Sequence, residues 1–407
     1  MLMKSSSELV RQQNSMLVLE ALRRHGPLAH TDLSGMTGLS SATISAITAD
    51  MERARIIEKS EQQTSSGRGR PRVFFSQRRD CGYLIVVRIS SDIVQYSLVD
   101  YSGTLMDRFE EARNHSQPGT GAFVSGLIEA LDRLVRRSSL DRSQILSISL
   151  SSKGLVEPDS ARLVWSPAFG DARIDFRTVL ASFNDANISL VNETLLVAQA
   201  IAVQMEAKRS NRFRAVAALS LGHSIGLGVA RRDRYGAFSV TAPNFGHMLH
   251  NASGGLCRCG SRGCIEASAG FYGILRTAFE APADAVPAKF VPLAEMDKLA
   301  ASARQGNRMA GYAFRQAGLA LGLGLSRMLA LYERMPIAIT GLGTRYYDLL
   351  SQGIEEGLAA SLDVRLNGLP DISVLADEQG LVFAGHVDKG LTQIDQDIAG
   401  SRIAAGA

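Results

Sequence analysis

The spacing of apolar residues near the start of the chain predicts a group of short helices. Segment 15–25 places its apolar residues on one helical side and stops before a Gly-Pro pair. A second short helix follows, for which we predict Thr31 as the N-cap and Leu33 and Met36 as inward-facing residues. Gly38 then provides a turn. The pattern therefore predicts two helices packed against each other before residue 40.

A third helix is predicted directly after this turn. Ile44, Ile47 and Met51 recur at helical spacing, which buries one side of the helix. Two helices, a tight turn and a further helix form the helix-turn-helix pattern, in which short polar side chains at the start of the last helix approach DNA. The residues expected to face outward there and to contact DNA are Ser41, Ala42, Thr43 and Ser45.

Two strand-like segments, 56–59 and 72–75, follow the third helix and are predicted to pair as a wing. Between them lies SSGRGRPR, in which Arg68 and Arg70 project from an extended, glycine-rich backbone. Such a segment fits the narrow minor groove of A·T-rich DNA, but it is equally typical of a solvated linker between domains. Because it lies next to a helix-turn-helix, we interpret residues 1–80 as a winged, mostly helical DNA-binding domain.

Charge and composition limit the domain number, the binding partners and the cellular compartment that are expected for this chain. The chain of 407 residues is long enough for two or three domains. Residues 1–80 contain 12 Lys and Arg against 8 Asp and Glu, so they hold the whole formal net charge of +4. The N-terminus lacks a secretory signal, and the apolar stretches 215–230 and 319–332 are too short to cross a membrane. With four cysteines, three of them clustered, a reducing cytoplasm is favoured over a disulfide framework.

From residue 82 onward, the pattern alternates strands with helices, which indicates an α/β organisation in two successive lobes. Antiparallel pairs are expected beside parallel crossovers. The predicted elements are strands 83–90, 92–100 and 103–112, helix 120–137, strands 144–152 and 188–193, and a hairpin within 215–232.

The stretch HMLHNASGGLCRCGSRGC, residues 247–264, combines three cysteines and two histidines with glycines that permit a tight loop. Three thiolates and one imidazole form a closed tetrahedral set, which is typical of structural zinc. Spacing does not choose between His247 and His250. Buried free thiols, a redox switch and a catalytic zinc are the alternatives, and the last would need an open coordination position. We predict a structural Zn²⁺ bound by one histidine together with Cys257, Cys259 and Cys264.

Motifs along nearly the whole chain resemble the ROK family, which groups sugar-responsive repressors with sugar kinases. They are, in order, the helix-turn-helix with GRGRP, the loop GLVEP, the strand end VNE, then LGHSIGLG, FGHM and CRCGSRGCIE. The resemblance implies a winged helix-turn-helix fused to a two-lobed α/β, actin-like and ribonuclease-H-like sugar kinase fold. It also assigns the fourth zinc ligand to His247. The expected lobes are a smaller one of residues 81–194 with 385–407, and a larger one of residues 195–384 that carries the zinc site.

The resemblance further implies a sugar site in the cleft between the lobes. Two positions depart from the family pattern, since Ala168 stands where many members have Asn and Asn244 stands where they have Glu. Fewer hydrogen-bonding groups imply altered or weaker sugar binding. For Asn192 and Glu193 the structural alternative is a strand-end turn with a helix N-cap, and for Glu266 it is an exposed helix residue. The residues expected to contact sugar are Gly154, Asn192, Glu193, His247 and Glu266.

The positions that handle ATP in the family's kinases are degenerate. The first phosphate loop, Asp-x-Gly-Gly-Thr in kinases, reads Arg-Ile-Ser-Ser-Asp at 88–92, so both glycines have gained side chains and Asp92 would repel phosphate. The second loop, Gly-Thr-Gly-x-Gly, reads GHSIG at 222–226. Glu193 replaces the catalytic Asp and marks a degenerate base position, because a misplacement of about 1 Å can cost on the order of 100-fold in rate. We expect no ATP binding and no enzymatic activity.

The sequence as a whole predicts a cytoplasmic transcriptional repressor of genes for sugar uptake or metabolism. We expect a homodimer, or a dimer of dimers, on a palindromic, A·T-rich operator, with a sugar or sugar derivative in the inactive cleft as effector. No membrane insertion is expected. The alternatives are an active sugar kinase with a fused DNA-binding domain, and a repressor sequestered by a protein of the phosphotransferase system.

Overall fold

The computed structural model describes residues 6–62, 72–113, 120–208, 213–234 and 236–405. These residues form an N-terminal part and two lobes, each built on a five-stranded sheet. Arg68 and Arg70 lie outside the described residues. Within the described ranges, no helix is long and apolar enough to span a membrane.

Three helices and a small sheet form the N-terminal part. The elements are α1 (Ser6–His25), β1 (Leu28–Ala29), α2 (His30–Thr37), α3 (Ser41–Arg53), β2 (Ile57–Gln62) and β3 (Arg72–Gln77). The predicted wing strands pair antiparallel, with Lys59 opposite Phe75, and β1 lies on the other side of β3. On α3, Ile44, Ile47 and Met51 are buried as predicted. The first helix is longer than predicted, since it begins at Ser6.

Two details of α2 differ from the sequence prediction. Thr31 lies inside the helix and Ala29 is the N-cap, whose backbone N–H donates to Asp32 Oδ2 at 3.2 Å. A carboxylate in the first turn thus takes the place of the expected hydroxyl cap, where it also complements the helix dipole. Met36 is 52% exposed, whereas Leu33 is fully buried. The helix therefore packs mainly through Leu33.

The first lobe contains the predicted run of strands. Its elements are β4 (Tyr83–Ile89), β5 (Ile93–Asp100), β6 (Leu105–Ala112), α4 (Gly121–Arg137), β7 (Ile145–Ser152), β8 (Leu155–Glu157), β9 (Arg162–Trp165), β10 (Ile174–Asp175), α5 (Phe176–Val179) and β11 (Asn187–Asn192). The main sheet has the order β6-β5-β4-β7-β11. Strand β7 is parallel to both β4 and β11, and the other pairs are antiparallel. Residues such as Val87 and Tyr96 pack with Leu131 of α4, which buries the apolar stripe of that helix.

The second lobe repeats this plan. Its elements are α6 (Glu193–Lys208), β12 (Ala215–Ser220), β13 (Gly226–Arg232), β14 (Phe238–Thr241), α7 (Ile265–Ala269), α8 (Phe271–Ala278), α9 (Leu293–Arg304), α10 (Arg308–Leu331), β15 (Ile337–Thr340), α11 (Tyr347–Ala359), α12 (Leu362–Asn367) and β16 (Ile372–Leu375). The order β14-β13-β12-β15-β16 matches that of the first sheet strand for strand. Helices α10 and α11 approach closely because Gly318 has no Cβ. A Cβ at this position would lie 2.2 Å from the backbone oxygen of Leu350.

The carboxyl ends of parallel strands from both sheets meet at one cleft. Arg88, Ser152 and Gly341, at or just beyond the ends of β4, β7 and β15, line the same cavity, and Leu221 follows β12 into it. In α/β folds, ligands bind at such strand ends. The matching topologies therefore place the candidate site between the lobes.

A last helix, α13 (Glu378–Ala405), begins at this cleft and extends to the N-terminal part. It packs on α6, β7 and β4 along the way and on α1. The expected lobe boundary at residue 385 falls inside this helix. Consequently, one continuous element contacts both lobes and the N-terminal part.

The N-terminal part is held against the first lobe by a buried ion pair and a shared core. Asp395 of α13 accepts hydrogen bonds from Arg23 Nε and Nη2 at 3.1 and 2.6 Å and from the Tyr101 hydroxyl at 2.6 Å. Leu22 of α1 belongs to the same hydrophobic cluster as Tyr101 and Leu391. The two parts are therefore packed together rather than joined only through the chain.

Candidate ligand site and metal centre

Four predicted metal ligands come together in residues 247–264, here called the cysteine loop. The side chains of His247, Cys257, Cys259 and Cys264 place their donor atoms within 4.8 Å of one another. Cys257 Sγ lies 3.6 Å from His247 Nδ1, and Cys259 Sγ lies 3.7 Å from Cys264 Sγ. His250 is outside this group, so the structure selects His247 from the two histidines.

Glycines give the cysteine loop its tight course. Gly260 and Gly263 adopt φ angles of 87° and 70°, a region that residues with a Cβ rarely enter. A Cβ on Gly263 would also lie 1.7 Å from the backbone oxygen of Asn251. These turns return the chain so that Cys264 lies beside Cys259.

The surroundings of the cluster fit a bound metal ion. Burial raises the pKa of the Cys257 and Cys264 thiols, and a metal ion would reverse this effect because its ligands are thiolates. The Tyr272 hydroxyl donates a hydrogen bond of 3.4 Å to Cys257 Sγ. The guanidinium groups of Arg258 and Arg276 lie 4.6 and 5.6 Å from the centre of the Tyr272 ring.

Both of these arginines carry buried nitrogens with no hydrogen-bond partner among the described residues, namely Nη1 and Nη2 of Arg258 and Nη1 of Arg276. Buried cations without compensation are unfavourable. Three thiolates, one neutral imidazole and a divalent ion would together carry a single negative charge, which compensates the nearby guanidinium groups. The donor set is that of a closed, four-coordinate site for a thiophilic metal.

Four of the five predicted sugar residues line one small cavity, here called the sugar pocket. They are Gly154, Asn192, His247 and Glu266. The cavity measures about 50 Å³ in this conformation, which is room for a few water molecules. Trp165, the only tryptophan of the chain, also lines it and meets the His247 ring edge-on at 5.3 Å. Sequence reasoning missed Trp165, although a single tryptophan three residues before Ala168 was an available signal for a binding role.

Glu266 offers a hydrogen-bond acceptor to the sugar pocket. It is 1% exposed, and its Oε2 accepts from the backbone N–H of Ile225 at 3.1 Å. Its Oε1 is buried and has no partner among the described residues. An exposed-helix interpretation of Glu266 is therefore wrong. A buried carboxylate oxygen without a donor is ready to accept one from a ligand hydroxyl.

Asn192 is already engaged in the local turn. Its Oδ1 accepts from the Thr194 backbone N–H at 2.9 Å and from the Thr194 hydroxyl at 2.5 Å, and its Nδ2 donates to Gly154 O at 2.6 Å. Gly154 itself has a φ of 131°, and a Cβ there would lie 2.2 Å from Trp165 O. Both residues therefore shape the wall of the pocket.

Glu193, the fifth predicted sugar residue, does not line the sugar pocket and instead pairs with Arg88. Arg88 Nε and Nη2 donate to Glu193 Oε1 at 2.9 and 2.5 Å. Burial alone would lower the pKa of Arg88, but the carboxylates of Glu193 and Glu378 outweigh it and the pKa is raised. The arginine that replaces the first-loop acid thus neutralises the carboxylate at the base position.

Glu378 extends this pair into a network across the cleft. It lies 3.4 Å from Arg88 Nη2 and 3.4 Å from Lys153 Nζ, and it accepts from the Ser220 hydroxyl. Burial would raise the pKa of Glu378, but Lys153 and Arg88 outweigh it and lower the pKa. The network joins residues from both sheets and from the first turns of α6 and α13, where carboxylates complement the helix dipoles.

The cavity at the degenerate phosphate loops is bounded by charged side chains and by a fixed backbone. It measures about 250 Å³ and is lined by Asp92, Asp377 and Glu378, and also by Arg88 and Lys153, which pair with Glu378. Arg113 Nη1 donates to Ser90 O and Ser91 O at 3.2 Å each, which holds the first loop in place. Because Arg88 and Lys153 are engaged by Glu193 and Glu378, the remaining carboxylates of Asp92 and Asp377 would repel a triphosphate.

Three of the four α3 residues that were predicted to face outward and contact DNA are exposed. Ser41, Ala42 and Ser45 are exposed, whereas Thr43 is half-buried and bonds through its hydroxyl with the N-cap Ser40 at 2.8 Å. His30 stacks on Phe75 of the hairpin at 4.7 Å. Its Nδ1 lies 3.4 Å from Ser45 Oγ, so α3 and the hairpin are linked.

A model of the ROK family matches residues 86–380. The chain belongs to the ROK family. The resemblance seen in the sequence motifs is thereby confirmed. Among ROK proteins, the chain is similar to the xylose repressor of Bacillus subtilis (strain 168), at 24% identity over 66% of this chain and 68% of that protein. It is similar to the DNA-binding transcriptional repressor Mlc of Escherichia coli (strain K12), at 22% identity over 86% of each chain.

Solved ROK structures share the fold. A ROK family transcriptional regulator, described as a homologue of E. coli Mlc, aligns with a TM-score of 0.73 and 18% identity over 97% of this chain and 99% of that chain. A ROK family glucokinase from Streptomyces griseus, solved with glucose and AMPPNP, aligns with a TM-score of 0.55 and 20% identity over 76% of this chain and 99% of that chain. The two-lobed actin-like fold is confirmed. Since the fold occurs in regulators and kinases, function has to be argued from the site.

Proposed function

We propose that this ROK protein is a sugar-responsive transcriptional repressor whose kinase-like cleft is catalytically inactive. The observation that carries the proposal is the buried ion pair of Arg88 with Glu193. A carboxylate oxygen that already accepts two hydrogen bonds from a guanidinium group is not free to take a proton from a sugar hydroxyl. The xylose repressor and Mlc, to which the chain is similar in sequence, are repressors, which supports the same conclusion.

The N-terminal part is the proposed DNA-binding domain, a winged helix-turn-helix. Its exposed α3 residues, Ser41, Ala42 and Ser45, would approach bases or phosphates in the major groove, and Arg68 and Arg70 would enter the minor groove beside it. Two copies of the chain would read the halves of a palindromic, A·T-rich operator. The docking of α1 on α13, a helix that also contacts both lobes, supports control of DNA binding by the lobes.

The sugar pocket is the proposed effector site. Glu266 Oε1 would accept a hydrogen bond from a sugar hydroxyl, and His247 would contribute its imidazole. The cavity of about 50 Å³ must widen to take a pyranose ring. Such widening would change the relative placement of the lobes, and an effector alters DNA affinity only if it favours one placement over the other.

Zinc is the proposed metal of the cysteine loop, bound by His247, Cys257, Cys259 and Cys264. It would act as a structural ion, because four protein ligands leave no open position for chemistry. Its role in this chain is to fix the start of α7, so that Glu266 is aimed at the sugar pocket. The position of the cysteine loop next to the cleft supports this role.

The experiment that tests the proposed function measures DNA binding and catalysis on the same full-length protein. The preferred duplex is selected from a random DNA library and its affinity is measured by fluorescence anisotropy with and without monosaccharides. ATP turnover is assayed with the same sugars. We expect a palindromic site, a sugar that changes its affinity, and no sugar phosphate. Phosphorylation that needs Glu193 would support the kinase alternative. Operator binding that ignores all sugars but responds to a phosphotransferase protein would support the sequestration alternative.

A further inference from the structure

We propose that the effector of this protein is a disaccharide or comparable glycoside, whose second ring binds in a larger cavity beside the sugar pocket. This inference rests on the proposed function, since it names the class of effector for the same site. The cavity, here called the side cavity, measures about 850 Å³. Pockets for ligands of drug-like size measure roughly 300–1,000 Å³, so the side cavity is large enough for a further sugar ring.

Both lobes contribute to the side cavity. The first lobe supplies Phe123 of α4, Trp165 at the end of β9 and Phe169 just after it. The second lobe supplies Leu256, Arg258 and Val286. Val286 is 87% exposed. A ligand here would bridge the lobes, which is the position an effector needs in order to change their placement.

The side cavity adjoins the sugar pocket. Trp165 and Pro167 line both, and Trp165 lies between the larger space and His247. A ring bound against His247 and Glu266 would therefore carry its substituents past Trp165 into the side cavity. The cavity at the phosphate loops also borders the side cavity, through Ser91, Pro167 and Ala168, but it lacks Trp165.

The chemistry of the side cavity suits a sugar ring. Phe123 and Phe169 lie 4.7 Å apart and present apolar surface, and aromatic rings pack against the C–H face of a pyranose. Arg113, which stacks on Phe169 at 4.4 Å, and Lys289 can donate to hydroxyl oxygens. The lining carboxylate of Glu111 pairs with Arg133 outside the cavity. A monosaccharide in the sugar pocket would leave this surface in contact with water.

The test compares matched sugars by isothermal titration calorimetry and thermal shift on the full chain. The pairs are glucose with cellobiose, xylose with xylobiose, and N-acetylglucosamine with chitobiose. We expect one disaccharide to bind at least about tenfold more tightly than its monosaccharide, because the second ring adds contacts without a second loss of translational freedom.

A glycine in α4 allows the side cavity to be blocked without disturbing the core. Gly126 lines this cavity, and a Cβ there would meet nothing within 4 Å. Gly126→Trp should therefore fill the space and weaken disaccharide binding about tenfold while monosaccharide binding stays unchanged. Gly126→Ala is the matched control at the same position. Gly311→Trp, at an equally open helical glycine remote from the cavity, controls for the added indole.

The outcomes separate the two proposals. Equal affinities within every sugar pair, or a Gly126→Trp variant that binds disaccharides normally, would overturn the side-cavity inference and leave the sugar pocket supported. Loss of monosaccharide binding in Gly126→Trp would also overturn it, because the two spaces would then act as one. If no sugar of either length binds, the proposed effector site itself fails.

Discussion

Removal of the Arg88 guanidinium should destabilise the protein strongly, because it leaves Glu193 buried without its partner. The Arg88 side chain is 13% exposed and that of Glu193 is 1% exposed, so water reaches neither well. Breaking a buried pair from one side costs about 3–5 kcal/mol. Arg88→Met keeps most of the aliphatic volume and removes the charge. Glu378 keeps Lys153 and Ser220, so the loss falls mainly on Glu193.

The melting temperature of the first lobe reports this loss. A domain of this size loses about 2–4 °C per kcal/mol, so Arg88→Met should melt about 6–20 °C lower in differential scanning calorimetry. The double variant Arg88→Met/Glu193→Gln should recover most of the loss, since no buried charge is then left unpaired. Arg315→Met is the control, because its pair with Glu356 is exposed and such pairs contribute about 0–1 kcal/mol. If Arg88→Met melts like this control, the assignment of the buried pair is refuted.

Four further outcomes are expected, three from the described geometry and the fourth from the sequence. Cys259→Ser should reduce zinc, measured by mass spectrometry of the metal, from about one ion per chain to a small fraction, because three remaining ligands bind zinc far more weakly; full occupancy would contradict the ligand set. Glu266→Gln should weaken sugar binding about tenfold in calorimetry, since a charged acceptor is lost at an unchanged fold; an unaltered Kd would remove Glu266 from the site. Burial holds the pKa of His386 at about 3, below its ordinary 6.5. Between these two pH values the unfolded chain therefore binds a proton at this residue that the folded chain does not bind. Stability from this residue should therefore fall by about 1.4 kcal/mol per pH unit below pH 6.5, and His386→Gln should show a flatter decline of Tm between pH 6.5 and 5, whereas parallel curves would exclude this source. Arg70→Ala should weaken operator binding and flatten its dependence on salt; an unchanged slope would count against the wing assignment.

Local patterns allowed much of the fold to be predicted. The buried spacing of Ile44, Ile47 and Met51 is a property of one helix, and the pairing of the wing strands follows from their proximity in the chain. The ligand cluster was predictable for the same reason, since Cys257, Cys259 and Cys264 are close neighbours in sequence. The choice of His247 came from the family motif rather than from spacing.

The interactions that define the cleft could not be predicted in this way. Arg88 and Glu193 are separated by 105 residues, and Lys153 and Glu378 by 225, so their pairing depends on how the two sheets come together. The cap of α2 was missed because the helix begins before Thr31, and Asp32 in its first turn accepts from the backbone N–H of the N-cap Ala29. Trp165 was missed because nothing local indicates that its ring lies beside His247.

The docking of α1 on α13 has a consequence for how the chain is made. Residues near the N-terminus leave the ribosome first, but the apolar side of α1 finds its partner surface, with Leu391 and Asp395, only when the last residues have been synthesised. A truncated product that ends before residue 390 would therefore lack Leu391, which packs with Leu22, and the carboxylate partner of Arg23. The N-terminal part, the proposed DNA-binding domain, therefore completes its packing only after α13 has been synthesised.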